Sequence, residues 1–223
     1  MQTEIKIDKI IRSRRRSIAL VVCPDATLVV RAPMKISLGY IQDLVFRKRL
    51  WINKKKRQAL KNGPPARAKE FINGEEFLYL GERYKLKIGA VKKIEIGDYL
   101  FFPEKYSSKA RVKMTEWYKQ KARDEITERA IILSRFTGWD FKSISITSAQ
   151  TRWGSCGAKG SINFTWKLIM APLNVIDYVV VHELAHTVER NHSARFWDKV
   201  AVVLPDYKIR QKWLRNNRGN FKI

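Results

Sequence analysis

The chain has 223 residues, of which 45% are hydrophobic, so it can bury a substantial core and is not a disordered protein. Its 45 Lys and Arg side chains outnumber 21 Asp and Glu, and the formal net charge of +24 favours polyanionic partners. Cys23 and Cys156 give no disulfide framework, the N-terminus has no apolar signal core, and no apolar run approaches the roughly 20 residues of a membrane span. We therefore expect a cytoplasmic protein with no membrane partner.

The first half of the chain is predicted to be rich in β-strands. Apolar and β-branched runs predict paired strands within residues 4–33, and shorter runs between residues 77 and 96 predict two or three more. Between these sets, Ser37 can cap a helix that continues to about Lys61. Residues 1–105 are therefore predicted to form a basic, β-rich region with one long helix.

The positive charge is concentrated at the start of this region, because residues 1–60 hold 15 basic and 4 acidic side chains. Two interpretations remain open: the cations are a solvated surface, or they bind nucleic acid or an acidic partner in a salt-dependent manner. The candidate nucleic-acid-binding residues are Arg14, Arg15, Arg16, Lys54, Lys55, Lys56 and Arg57.

The second half, residues 106–223, has a different pattern. A 3.6-residue periodicity predicts a helix over about 108–136, and alternating apolar residues predict strands over 141–148 and 162–166. A turn-rich segment, residues 151–157, lies between those strands. We predict an α+β fold, in which a β-rich first half is followed by a helix-rich region.

A further helix follows, and Asn174 and Asp177 predict a capping-box-like start for it. Apolar residues recur along this helix at steps of three and four, which predicts that one side is buried. These residues are Leu173, Ile176, Val180 and Leu184.

All three histidines of the chain lie within eleven residues of this region. His182 and His186 are separated by four positions, so on a helix their side chains share one face and can hold one Zn²⁺. Glu183 lies beside the first histidine and is the candidate general base. His192 would complete a set of three nitrogens, leaving a fourth position for water as a catalytic zinc site requires. The sequence therefore predicts one Zn²⁺ per chain.

His192 can join the other two histidines only if the helix ends after about Val188. Asn191 can supply a left-handed turn residue, and Ser193 can cap a new helix. We favour His192 as third ligand over the available carboxylates, which are Glu189, Asp198 and Asp206. A structural zinc site closed by a cysteine is the other alternative, with Cys156 or Cys23 as the fourth ligand.

The segment Arg152-Trp153-Gly154-Ser155-Cys156 is a second candidate functional element. Arg152 can hydrogen-bond a substrate carbonyl or an oxyanion, and Gly154 allows a close backbone approach. Arg152, Trp153 and Gly154 are therefore candidate substrate-binding residues. The alternative is a tight turn packed by Trp153; for Cys156 we prefer this structural interpretation, as a small buried residue.

His182-Glu-Leu-Ala-His186, with Asn191-His192-Ser193 and the upstream Arg152–Cys156 segment, resembles the YgjP-like metallopeptidase family. The resemblance is strongest from about residue 140 to 205. It implies a small gluzincin-like zincin, similar in outline to the SprT and WLM families, whose active-site helix packs on a short mixed sheet. It also implies that the three histidines are metal ligands and that Glu183 is the base. Metzincins have a glycine where this chain has Glu189, which argues against that group.

Three functions follow from these observations. The first is a zinc metallopeptidase that hydrolyses peptide bonds through a metal-activated water and is recruited by its basic half to nucleic acid or acidic partners. The second is a metal-dependent hydrolase of nucleotide phosphoanhydrides, although the chain has no P-loop and no Mg²⁺-type carboxylate cluster. The third is a non-catalytic nucleic-acid-binding protein with a structural zinc.

Overall fold

The computed structural model describes residues 5–61, 69–221 and 223, and the chain divides into two compact units, residues 1–67 and 68–223. The strands between residues 76 and 103, which the sequence analysis grouped with the basic first half, share a core with the helices of the second unit. In the described part of the chain, no helix is long and apolar enough to cross a membrane.

The first unit is a three-stranded sheet with two helices. The strands are β1 (Lys9–Ser13), β2 (Ala19–Val22) and β3 (Leu28–Pro33), and the helices are α1 (Leu38–Arg47) and α2 (Arg49–Lys61). The sheet order is β1-β3-β2, with β1 parallel and β2 antiparallel to β3. Inward residues of β3 and both helices form the core of this unit, which consists of Leu28, Val30, Ala32, Ile41, Val45 and Ile52.

The prediction of one long helix in this unit is wrong in one respect. Ser37 caps α1 as predicted, since its side chain accepts a hydrogen bond from the Tyr40 amide at 3.3 Å. The helix is interrupted at Lys48, whose backbone leaves helical geometry while its amide still donates to the Leu44 carbonyl. The break lets α1 and α2 place Ile41 and Ile52 in the same small core.

The second unit begins with a four-stranded sheet of order β4-β5-β7-β6. Its strands are β4 (Glu76–Tyr79), β5 (Glu82–Gly89), β6 (Glu95–Ile96) and β7 (Leu100–Pro103). The β4 and β6 pairings are antiparallel, and β5 is parallel to β7. Strand β7 was not predicted, because a four-residue apolar run is too short to show a period.

Besides three short 3-10 helices, a second sheet and four α-helices follow in the described residues of this unit. They are α3 (Ala110–Thr137), β8 (Ser143–Thr147), β9 (Gly154–Cys156), β10 (Ser161–Thr165), α4 (Leu173–Val188), α5 (Ala194–Val203) and α6 (Tyr207–Asn217). The sheet order is β8-β10-β9, with β8 parallel and β9 antiparallel to β10. The predicted α+β fold, with a short mixed sheet and a site-bearing helix, is confirmed.

Helix α4 packs against α3, α5, α6 and β9, and most of its side chains are buried. Ile176, Val180 and Leu184 lie in the core as predicted, whereas Leu173, the first residue of the helix, is 40% exposed. The helix therefore provides a rigid base for the residues that project from its C-terminal half.

The predicted capping box at the start of α4 does not form. The N-cap residue is Pro172, which makes no side-chain cap hydrogen bond. Asp177 instead accepts two hydrogen bonds from the Arg129 guanidinium of α3, both 2.6 Å long. A bidentate, charge-assisted pair of this kind is stronger than a neutral cap, so it decides the orientation of the Asp177 side chain.

Candidate functional site

The three histidines converge at the C-terminal end of α4. His182 and His186 project from adjacent turns of the helix, and His192 returns from the segment that follows it. The Nε2 atom of His192 lies 3.0 Å from Nε2 of His182 and 3.2 Å from Nε2 of His186. The candidate ligand atoms all lie within 4.8 Å of one another, so one metal ion can contact all three.

A sharp turn after α4 makes this convergence geometrically feasible. The helix ends at Val188, as predicted, and Glu189 is extended, with φ −138° and ψ 108°. The amide of Glu189 still donates to the Ala185 carbonyl at 2.8 Å. The expected left-handed residue at Asn191 is not found, since in the described residues positive φ outside glycine occurs only at Ala26, Phe71 and Leu80. The extended Glu189 backbone redirects the chain instead.

The next helix begins as predicted. The Ser193 side chain caps α5 by accepting a hydrogen bond from the Phe196 amide at 3.4 Å. Phe196 is fully buried, and the centroid of its ring lies within 5.0 Å of the ring centroid of each of the three histidines.

The exposed His192 ring is held by an aromatic stack. Trp197 stacks on it with a centroid distance of 5.6 Å, and Tyr207 in turn stacks on Trp197 at 5.2 Å. Neither Trp197 nor Tyr207 was predicted from the sequence to support a metal ligand. The available signal was an aromatic pair that follows the third histidine by four and five positions.

Hydrogen bonding and burial prepare the imidazoles to act as metal ligands. Nδ1 of His186 lies 3.1 Å from the Glu189 carbonyl, which can only accept, so Nδ1 carries the proton and Nε2 keeps its lone pair. Burial, with smaller effects of the other two histidines, lowers the pKa of His182 to about 3. Burial also lowers the pKa of His186, against the opposing effect of the Glu189 carbonyl. Both rings are therefore neutral near neutral pH.

This donor set fits zinc, which prefers imidazole nitrogen and uses three protein ligands in catalytic sites. In the described part of the chain, the group of residues able to share one ion consists of these histidines alone. Cys156 is a free thiol outside the group. Asp206 is paired with Arg210 at 2.9 Å, and Glu189 contributes its backbone to the site. These observations argue against Cys156, Asp206 and Glu189 as competing ligands.

Glu183 lies beside the histidines and is only 5% exposed. Its side chain packs against the backbone of β9 at Gly154, where a methyl group would lie 2.6 Å from Cγ and Oε1 of Glu183. Burial raises the pKa of Glu183 to about 7, and the nearby Arg152 guanidinium opposes this rise. The absence of a side chain at residue 154 is thus a condition for the position of the glutamate.

The neighbouring residues of this segment have separate surroundings. Arg152 and Trp153 line a pocket of about 200 Å³, and Trp153 packs edge-on against Phe221 at 5.0 Å. Cys156 is half-buried, and burial followed by the Glu183 charge raises the pKa of its thiol. Cys156 therefore has the character of a packed thiol and not of an activated nucleophile.

Sequence reasoning missed Arg190, which lies in the turn between His186 and His192. Its guanidinium donates to the Ala158 carbonyl at 2.6 Å and to the Gly157 carbonyl at 3.4 Å. These bonds connect the turn that carries His192 to the loop between β9 and β10. Nothing in the sequence distinguishes this arginine from the chain's many others.

The two basic clusters lie in the first unit. The side chains of Arg14, Arg16, Lys54, Lys55 and Arg57 are exposed. The other two have partners within the unit: the Arg15 guanidinium donates to the Ser17 carbonyl, and Lys56 pairs with Asp8 at 3.5 Å.

The profile of the family described as YgjP-like, metallopeptidase domain, matches residues 16–217. No protein of curated function matches the chain at a significant level. Among solved structures, the crystal structure of the metallopeptidase zymogen of Pyrococcus abyssi abylysin aligns with a TM-score of 0.38 and 20% sequence identity. The alignment covers 40% of this chain and 90% of that one.

The convergence of the three histidines predicts how metal content responds to substitution. We expect about one zinc per chain in the zinc-loaded protein and a large loss in His182→Ala, His186→Ala and His192→Ala, because two imidazoles hold the ion too weakly. Glu183→Gln and Cys156→Ser serve as matched controls that keep the metal. Elemental analysis after gel filtration measures the ratio. Full retention of zinc by His192→Ala would show that the third ligand is another residue.

Proposed function

This chain belongs to the YgjP-like metallopeptidase family, and on that basis we propose that it is a zinc-dependent enzyme that hydrolyses peptide bonds in protein or peptide substrates. The observation that carries the proposal is the placement of the buried Glu183 carboxyl next to three converging histidine Nε2 atoms. One helix and one tight turn provide all four groups, so they form a single site.

Each group has a defined role in the proposed reaction. His182, His186 and His192 would hold the metal through Nε2. When bound, the metal supplies Lewis acidity, which makes water a stronger acid and a carbonyl a better electrophile. The Glu183 carboxylate accepts the proton of the hydrolytic water and then delivers it to the leaving amine. In this proposal Arg152, whose charge acts on Glu183, hydrogen-bonds the substrate near the reacting carbonyl.

The alternative hydrolysis of nucleotide phosphoanhydrides is supported less well. Enzymes of that class commonly hold Mg²⁺ with carboxylates, and the described residues contain no carboxylate cluster able to share an ion. The family of the chain also points to peptide bonds. The three-imidazole donor set suits zinc better than the hard Mg²⁺ ion.

Replacing the proposed base separates the three candidate functions. We expect Glu183→Gln to keep its zinc and to lose about 10²- to 10⁴-fold in the kcat/KM for a casein-type substrate, because the amide cannot accept the proton. The release of peptides from fluorescently labelled casein measures this loss. Parallel assays with nucleoside triphosphates test the alternative function, phosphoanhydride hydrolysis. If the wild type cleaves nucleotides and leaves casein intact, the protein is a phosphoanhydride hydrolase and not a peptidase. Glu183→Gln with wild-type casein cleavage would exclude Glu183 as the base.

The contact between Gly154 and Glu183 gives a second test. In Gly154→Ala the new methyl group would lie 2.6 Å from Glu183, so the carboxylate must move. We expect kcat to fall by about 10²-fold, the usual cost of misplacing a catalytic group by about 1 Å, while the zinc content stays the same. Gly89→Ala is the matched control, since a methyl group there meets nothing within 4 Å. Equal kcat for Gly154→Ala and Gly89→Ala would contradict the proposed position of the base.

We also propose that the basic first unit recruits the enzyme to nucleic acid. Five of the seven clustered cations in this unit are exposed, which supports the proposal. Two of them, Lys54 and Lys55, lie on α2 close to Ile52, which is buried in the core of the unit. Exposed cations of this kind contact phosphates without reading the sequence, so the substrate would be any protein on or near the nucleic acid.

The recruitment proposal predicts salt-sensitive binding. We expect affinity for a duplex DNA of arbitrary sequence to fall linearly with salt concentration on a logarithmic plot. Replacing Lys54, Lys55 and Arg57 with Gln should reduce the magnitude of the slope by about 2 to 3, since each phosphate contact contributes about 0.9. The control replaces the exposed Lys92, Lys93 and Lys119 with Gln. Fluorescence anisotropy measures both, and an affinity that does not change with salt would refute the recruitment.

A further inference from the structure

We infer that the pocket beside β9 is a subsite for an acidic group of the substrate, either a Glu or Asp side chain or a C-terminal carboxylate. The inference rests on the proposed peptidase function and adds a substrate preference to it. The pocket lies between the segment that precedes β9, the end of β10 and the C-terminal turn. Its lining residues are Ala149, Gln150, Arg152, Trp153, Thr165, Lys167, Arg218 and Phe221.

The lining is strongly cationic. Three of its eight residues are basic and none is acidic, so the pocket favours an anion. The basic residues come from three separate parts of the chain: Arg152 precedes β9, Lys167 follows β10, and Arg218 follows α6. Their meeting is a property of the fold and is not visible as a cluster in the sequence.

Two of the cations are held in place by neutral oxygens. The Lys167 ammonium donates to the side-chain carbonyl of Gln150 at 2.7 Å, and the Arg218 guanidinium donates to the Thr151 carbonyl at 2.7 Å. These bonds restrict the orientation of both side chains. Arg152 makes no hydrogen bond or ion pair within the described part of the chain and is exposed, so its planar fork of donors is open to a ligand.

The pocket adjoins the proposed catalytic group. Arg152 lies close enough to Glu183 for its charge to act on that carboxyl, and Gly154, two residues later, is in contact with the Glu183 side chain. A substrate bound at Glu183 therefore lies next to Gly154, which directly follows the pocket residues Arg152 and Trp153. Arg152 is the residue shared by the two sites.

The size and walls of the pocket favour a carboxylate. Its volume of about 200 Å³ is below the roughly 300 Å³ at which clefts for drug-sized ligands begin, so it suits one side chain better than a nucleotide. Trp153 and Phe221 provide apolar walls for the methylene groups of a glutamate. The guanidinium fork of Arg152 matches the two oxygens of a carboxylate.

The test is a peptide series cleaved by the zinc-loaded protein. A neutral peptide receives a single Glu at each of three positions on either side of the scissile bond, and each member is paired with its Gln counterpart. Each peptide is made with a free and with an amidated C-terminus, which separates side-chain from terminal recognition. We expect a Glu at one of these positions, or a free C-terminus, to raise kcat/KM by about tenfold over the matching Gln or amidated peptide. An exposed charge-assisted contact has about this effect.

Variants assign that preference to the pocket. In Lys167→Gln and in Arg218→Gln we expect the acid-to-neutral ratio of kcat/KM to fall from about tenfold towards one, because each removes a cation while keeping a hydrogen-bond donor. Lys167→Arg restores the charge and should restore most of the ratio. Lys119→Gln, which removes an exposed lysine of α3, is the matched control and should keep the tenfold ratio.

Binding to the zinc-loaded Glu183→Gln protein, measured by calorimetry, separates failure of the subsite from failure of the peptidase proposal. Peptides cleaved by the wild type with no acid preference at any position would overturn the subsite and leave the peptidase standing. If nothing is cleaved, the peptidase proposal fails, and peptide binding then decides the subsite proposal. Tighter binding of acidic than of neutral peptides, lost in Lys167→Gln, would support the subsite. Equal binding of acidic and neutral peptides would overturn it. Binding of inorganic phosphate without discrimination between Glu and Gln peptides would also overturn the carboxylate assignment.

Discussion

The turn at Glu189 is the constraint on which the rest of the site depends. Its amide closes the last hydrogen bond of α4, to the Ala185 carbonyl, and its own carbonyl accepts from Nδ1 of His186. One residue thus ends the helix, sets the tautomer of the second histidine and turns the chain so that the third can return. If α4 continued through this point, His192 would rotate away from the other two, because six residues are not a whole number of helical turns. The backbone conformation of one residue therefore determines whether the chain has two converging imidazoles or three.

The surrounding structure keeps this turn and its neighbours in place. Helix α4 is buried along most of its length, so His182 and Glu183 project from a rigid element, as precise sites require. On one side, Arg190 connects the turn to the loop after β9. On the other side, the stack of Tyr207 and Trp197 supports the exposed His192 ring. Strand β9 can approach Glu183 closely because residue 154 has no side chain.

Much of the candidate site could be predicted from local sequence, because its determinants are local. The spacing of His182 and His186, the end of α4 near Val188 and the cap at Ser193 each depend on a few neighbouring residues, and the structure has all three features. The failures came from contacts distant in sequence or from backbone conformations that several residue types can adopt. Asp177 pairs with Arg129, 48 positions away, in place of capping its own helix. The redirecting residue is an extended Glu189 and not a left-handed Asn191, since an extended backbone leaves no mark on composition. The cationic pocket could not be predicted either, because its three basic residues are distant from one another in the sequence.

X-ray absorption at the zinc K-edge, on protein loaded with one zinc per chain, tests the central claim most directly, because it reports the ligand atoms without a substrate. If His182, His186 and His192 hold the ion, the spectrum will show three imidazole nitrogens at about 2.0–2.1 Å and no sulfur near about 2.3 Å. Two or fewer imidazoles, or a sulfur neighbour, would contradict the account. The first result would show that at least one of the three histidines is not a ligand, and the second would make the site a structural one closed by a cysteine.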